Sequence, residues 1–167
     1  MAVVLGLALA SQAWAAPVDL PAPQPKVDIS PEVRSLRGIT AVRLTIAPVP
    51  RQLAGVGITI AEIRKNVDDM LRASGVTIVE DEAAPRLNVI LMYATEPSNS
   101  GWTMLMSFIE LHQRVKIDRT NETIEVPTVT FLTPQVIQNS KLGEAYWGIL
   151  HRTLIEFTSS LNLANKD

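Results

Sequence analysis

Residues 102–119, WTMLMSFIELHQRVKIDR, constrain the fold of this chain more than any other stretch. The run holds no glycine or proline and mixes β-branched with aromatic and long apolar side chains, so it reads as one long strand. Its odd positions, Leu105, Ser107, Ile109, Leu111, Gln113, Val115 and Ile117, are mostly apolar, as the core face of a strand should be. The even positions change character halfway. Trp102, Met104, Met106 and Phe108 are apolar, whereas Glu110, His112, Arg114, Lys116 and Asp118 are polar or charged.

The following residues supply a partner. With residues 119–122 as the hairpin connection, Ile117 faces Ile124, Val115 faces Val126 and Leu111 faces Thr130, which aligns the apolar faces. The same register sets Lys116 opposite Glu125, Glu110 opposite Phe131 and His112 opposite Val129, adding Val129 and Phe131 to the greasy outer face. Pro127 has no N–H to give a ladder, so residues 123–133 are expected to form an edge strand or to carry a bulge.

Upstream, residues 39–47 alternate as a first strand and Pro48 and Pro50 end it. Residues 51–57 read as a glycine-punctuated, mobile loop. Thr59 stands three residues before Glu62, the reciprocal capping pattern, and Ile60, Ile63, Val67, Met70 and Leu71 recur at helical spacing. Gly75 is placed to take the left-handed conformation that closes that helix. Residues 76–79 form a short β segment. Residues 86–95 form a longer strand, apolar on both faces and hence central, and the turn cluster EPSNSG at 96–101 leads into the long strand. After Pro134 a second helix is expected from about residue 140 to residue 161, burying Leu142, Tyr146, Ile149, Leu150, Thr153, Phe157 and Leu161. Gly143 and Gly148 weaken it, which close approach of its backbone to the sheet would explain.

The ends carry different information. Residues 1–15 hold no charged side chain and end in AWA, a small-x-small pattern, so they read as a signal peptide cleaved after Ala15. Pro17, Pro21, Pro23, Pro25 and Pro31 make residues 16–35 an extended proline-rich spacer. A single α+β domain occupies 36–163 and a polar tail 164–167. The location implied is exported, periplasmic where the source has an outer membrane. The chain has no cysteine and a formal charge of −2, so packing rather than disulfides must stabilise it, and a nucleic-acid partner held by a basic field is excluded. The mature chain contains no apolar run of membrane-spanning length.

Motifs for chemistry are sparse. There is no G-x-S-x-G elbow, no phosphate-binding glycine loop, no helical histidine pair for zinc and no calcium-ligand spacing, so no metal or cofactor is implied. His151 reads as a surface residue. Asp68 and Asp69 read as a hydrated helix face, and Glu80, Asp81 and Glu82 as a turn. The one catalytic alternative is Glu110, His112 and Arg114 on a single strand face, where a carboxylate could orient an imidazole as a general base; a solvated charged face is the simpler reading. The apolar patch is the better candidate for function. Met104, Met106, Phe108, Val129 and Phe131, joined by Ile90 and Met92, would form a methionine-rich surface able to adapt to a partner or ligand.

These elements define an α+β domain, an antiparallel-rich sheet of about four strands with two helices packed mainly on one face. The order of elements over residues 39–163, behind a leader and a proline-rich spacer, resembles the lipopolysaccharide-assembly plug lipoproteins of bacterial envelopes, which place two helices on a four-stranded sheet. Those lipoproteins carry an acylated cysteine that this chain lacks. The resemblance implies a non-enzymatic envelope-assembly accessory protein that offers its apolar sheet surface to a protein partner or a lipid-like ligand. A small hydrolase or isomerase using Glu110 and His112, and a homodimeric structural protein, are the alternatives.

Overall fold

The computed structural model describes residues 29–95 and 101–166. The expected signal peptide and most of the spacer lie outside them. Within them the chain forms strands β1 (Ala41–Ile46), β2 (Thr77–Ile78), β3 (Arg86–Thr95), β4 (Trp102–Ile117) and β5 (Glu122–Gln138), with helices α1 (Pro31–Arg34), α2 (Arg51–Ala54), α3 (Ile60–Ala73) and α4 (Leu142–Ala164). The sheet order is β2-β1-β3-β4-β5. β1 runs parallel to both β2 and β3, and the β3–β4 and β4–β5 pairs are antiparallel. The sheet therefore has five strands rather than about four, and two one-turn helices accompany the two long ones.

Both long helices cover the same side of the sheet. Val42 and Leu44 of β1, Leu87, Val89 and Leu91 of β3, and Leu105, Ile109 and Leu111 of β4 form one buried cluster with Ile63, Val67 and Leu71 of α3 and with Tyr146, Leu150, Leu154 and Phe157 of α4. The α3 boundaries follow from the expected chemistry. Thr59 accepts a hydrogen bond from the Glu62 N–H at 3.2 Å while the Thr59 N–H donates to the Glu62 carboxylate at 3.1 Å, so each satisfies an orphan group at the helix start. Gly75 closes the helix with φ of +78°, a conformation costly for residues with a Cβ.

Three local expectations differ. Residues 51–57 are not a free loop, because Arg51–Ala54 makes a helical turn that Leu53 pins in the core with no exposed surface. Residues 31–34, expected to extend the spacer, turn into α1 because Ser30 caps the Val33 N–H at 3.3 Å and Pro31 sits where its missing N–H costs nothing. The glycines of α4 do not touch the sheet: a Cβ at Gly143 would make ordinary contact with Val56 at 3.7 Å, and one at Gly148 would meet no atom within 4 Å.

The largest correction concerns β5. Near the hairpin tip Val115 pairs with Ile124, Arg114 with Glu125 and Lys116 with Thr123; then the register shifts between Leu111 and His112, where Leu111 pairs with Val129 but His112 with Pro127. Thr128 is the extra residue of a bulge, and its hydroxyl hydrogen-bonds the Leu111 carbonyl at 3.2 Å and the Gln113 side chain at 2.7 Å. One extra residue inverts the alternation of everything beyond it. Ile109 therefore faces Phe131 and Glu110 faces Thr130, instead of Glu110 facing Phe131. Pro127 sits where the ladder breaks, and β5 is the outer strand of the sheet, so the proline marks both an edge and a bulge.

Candidate functional site

Among the described residues no helix covers the second side of the sheet. Three successive cross-strand rows run over its middle strands: Ile90, Phe108 and Leu132; Met92, Met106 and Pro134; Ala94, Met104 and Val136. Every side chain in these rows is apolar. Exposure is 46% for Met92, 41% for Met104, 46% for Leu132 and 59% for Val136, values foreign to core positions. Phe108, Met106 and Ile90 are half-buried by their neighbours in the rows. Trp102, 47% exposed, extends the patch at one end. A shallow depression of about 290 Å³ lies there between Ala94, Trp102, Met104 and Val136.

Five of the seven expected patch residues, Ile90, Met92, Met104, Met106 and Phe108, come together on this face. Val129 and Phe131 do not. The bulge turns both toward the helices, where Val129 is buried and the Phe131 ring meets Phe157 edge-on, with centroids 5.9 Å apart. Leu132, which the regular register had set on the core face, takes their place together with Pro134 and Val136, which lie beyond the strand expected to end at residue 133. The sequence did carry a signal for them, because Pro127 announces a bulge and a bulge inverts parity.

The polar end of the same face is a connected network. Glu125 on β5 receives Arg86 Nε at 2.6 Å and Arg43 Nη2 at 3.4 Å. A second Arg86 nitrogen lies 3.3 Å from His112 Nδ1, and His112 Nε2 lies 3.1 Å from Glu110. A guanidinium only donates, so the network assigns Nδ1 as acceptor and places the imidazole hydrogen on Nε2, donating to Glu110. Both ring nitrogens are then engaged. Burial raises the Glu125 pKa, but the Arg86 hydrogen bond and charge, followed by the Arg43 charge, outweigh it and hold the carboxyl below its ordinary value. Arg114 stands apart and donates to the Glu82 carbonyl at 3.1 Å. The arrangement spaces charged groups across four strands, and it leaves His112 without a free lone pair for proton abstraction.

Residues 51–57, expected to form a mobile loop, do not lie at this site, because α2 and its flanking Val56 pack on the helical side, against α4. His151 is exposed on α4 and lines a cleft of about 310 Å³ with Asn66 and Met70 of α3. Asp68 and Asp69 make i,i+4 ion pairs with Arg72 and Lys65. Among the described residues no group of three or more histidine, cysteine or acidic side chains is placed to hold a metal ion. No described helix is long and apolar enough to cross a membrane.

Among the described residues, the fold and this surface define a small α+β domain whose mixed sheet is helix-covered on one side and, on the other, bare, apolar at one end and charged at the other. In structure the chain is similar to bacterial lipoproteins. A minor lipoprotein from Acinetobacter baumannii shares 15% identity at a TM-score of 0.42, covering 76% of this chain and 93% of that one. The rare lipoprotein B from Shewanella oneidensis shares 16% at 0.36, covering 72% and 89%. The chain is also similar to PelC from Paraburkholderia phytofirmans, a dodecamer, at 16% identity and 0.37, covering 77% and 87%. No family model matches the sequence, and no curated protein does. Likenesses at such low identity and TM-score carry no argument for function, which rests on the surface itself.

Proposed function

We propose that this chain is a non-enzymatic accessory protein of a bacterial envelope that binds a protein partner or a lipid-like ligand on the bare face of its sheet. The observation that carries the reading is the three-row apolar face that no described residue covers, while both long helices pack opposite. Burying such a surface releases roughly 25 cal/mol per Å² of apolar area, so leaving it in water is costly unless something binds there. The uncharged leader ending in AWA and the prolines behind it support an exported, envelope location. Soft methionines at Met92, Met104 and Met106 suit a surface that adapts to what it binds.

Size favours a partner segment or a ligand over a face-to-face second copy. Three strands about 4.8 Å apart crossed by three rows about 6.8 Å apart give a patch on the order of 300 Å². A stable dimer interface needs about 800 Å² per subunit. The test compares wild type with Met106→Glu for binding of a hydrophobic dye and for crosslinking to envelope components. Met106 is on the exposed side of β4, so the variant should fold and lose most of both signals. Equal signals from two folded proteins refute the reading.

A further inference from the structure

A second surface adjoins the first and has different chemistry. β5 is the outer strand, and among the described residues its free edge pairs with no other strand. The Asn139 N–H donates to the Gly101 carbonyl at 2.9 Å, which fixes the phase of the ladder. Opposed residues in an antiparallel pair alternate between hydrogen-bonded and non-bonded pairs. Thr103–Ile137 and Leu105–Gln135 are therefore bonded, while Trp102–Gln138 and Met104–Val136 are not. The backbone N–H and C=O of Val136 and Gln138 consequently point away from β4, off the edge of the sheet. Pro134 is next in the same phase and has no N–H, so it separates this stretch from Leu132 and Thr130, which face the edge in the same phase before the bulge at Thr128. The open stretch at the end of the strand is thus bounded by a proline on one side and by the turn into α4 on the other.

That open stretch forms one wall of a groove of about 510 Å³, and α4 forms the other. Glu144, Gly148 and Arg152, four residues apart, lie along the helical wall, with Lys141 just before the helix. Lys141 and Arg152 are exposed and make no ion pair with any described residue. Glu144 is the one carboxylate among the groove's lining residues, so two cations face one anion. Gly148 costs an interior helical position about 1 kcal/mol against alanine. Since a Cβ there would touch nothing within 4 Å, packing does not require the glycine. Its effect is to keep the middle of the groove open.

We infer that this groove accepts an extended acidic segment of a partner protein as an additional strand, its backbone on Val136 and Gln138 of β5 and its carboxylates on Lys141 and Arg152. Strand addition takes affinity from main-chain hydrogen bonds and specificity from flanking side chains, and the groove offers both. A second copy is a poor occupant. Pairing β5 to β5 about a two-fold axis would set both α4 helices on the same side, each turning its Lys141 and Arg152 toward the other. The groove adjoins the bare face and shares Trp102 and Val136 with it, but its charged wall belongs to α4 and the preceding Lys141 alone.

The probe is a six-residue peptide alternating valine with glutamate, titrated into ¹⁵N-labelled protein and followed by amide shifts and hydrogen exchange. Protection of the Val136 and Gln138 amides should rise at least about tenfold on binding. Arg152→Glu should weaken binding by about tenfold or more, as should lysine in place of glutamate in the peptide. N-methylation of the peptide's edge-facing amides should abolish it. Gly148→Leu, which fills the groove while leaving both cations in the sequence, serves as the second variant if Arg152→Glu does not fold. An amidated peptide distinguishes the acid's source: retained affinity assigns side-chain carboxylates, and lost affinity a C-terminal carboxylate. No binding at about 1 mM, equal binding of the lysine peptide, or a dimer of the free protein with Val136 and Gln138 already protected would each overturn the inference.

Discussion

Phe131 and Leu132 are adjacent residues with opposite fates, and truncating each to alanine tests the bulge that separates them. Phe131 is partly buried and meets the fully buried Phe157 edge-on at 5.9 Å. Phe→Ala in a core costs about 3–5 kcal/mol. Partial exposure of Phe131 lowers that, and the lost edge-to-face pair adds about 0.5–1.5 kcal/mol, so Phe131→Ala should cost about 3 kcal/mol. Leu132, 46% exposed, has no packed partner above it. Leu132→Ala should stay within about 1 kcal/mol, the range of an ordinary exposed position. With an m-value of about 1.5–2 kcal/mol/M for urea, the first variant should unfold about 1.5–2 M earlier and the second within about 0.7 M of wild type. Equilibrium urea unfolding followed by tryptophan fluorescence reads both. A larger loss in Leu132→Ala than in Phe131→Ala would mean that β5 runs without the inversion, and the assignment of its faces would fall.

Three further outcomes are expected. Gly148→Ala should raise stability by about 0.5–1 kcal/mol in thermal or urea unfolding, because the new methyl has room and the helix gains propensity. Thr59→Ala removes the hydroxyl of the α3 capping box and should cost about 1 kcal/mol, seen as an earlier urea midpoint. Glu125 has a carboxyl pKa below the ordinary value, so the stability it contributes is present above the unfolded glutamate value of about 4.3 and disappears as pH falls through the folded value. Glu125→Gln should therefore be less stable than wild type at neutral pH and lose less on acidification below about pH 4.3, measured as urea midpoints across pH.

Much of the fold was legible because local chemistry and tertiary packing agree. The Thr59–Glu62 box, the spacing of Ile63, Val67 and Leu71, and Gly75 point to one helix, and the structure forms it between those marks. Residues 86–95 read as central and are the third strand of five. The α2 turn was illegible because its stability comes from one tertiary anchor, Leu53, rather than from a periodic pattern. On the sheet face, Met104, Met106 and Phe108 could be placed because β4 alternates without interruption. Placing β5 needed more than matching apolar side chains across the hairpin, since two registers match them almost equally well near the tip. The difference lies in a backbone event at Pro127 and Thr128, where a missing donor lets the ladder break. Leu132 was thereby exchanged with Phe131 and Val129, and Val136 lies on a continuation of β5 that Pro134 was expected to end. The β5 edge groove had no linear signature at all, because Gln138 of the strand and Arg152 of the helix meet only after the chain turns back along β5.

Thr128 behaves as a frameshift written into the protein itself. On either side of it β5 is a regular alternating strand, but the two halves are read in opposite frames, and each is correct only because one uncounted residue lies between them. Deleting that single residue would leave every other side chain in place in the sequence and turn residues 129–138 inside out, offering Val129, Phe131 and Ile137 to water and driving Leu132 and Val136 inward. Length variation at the β4–β5 tip is cheap by comparison, since it lies outside the stretch where frame matters. The bare face of the sheet thus depends less on which apolar residues β5 contains than on their count from Thr128.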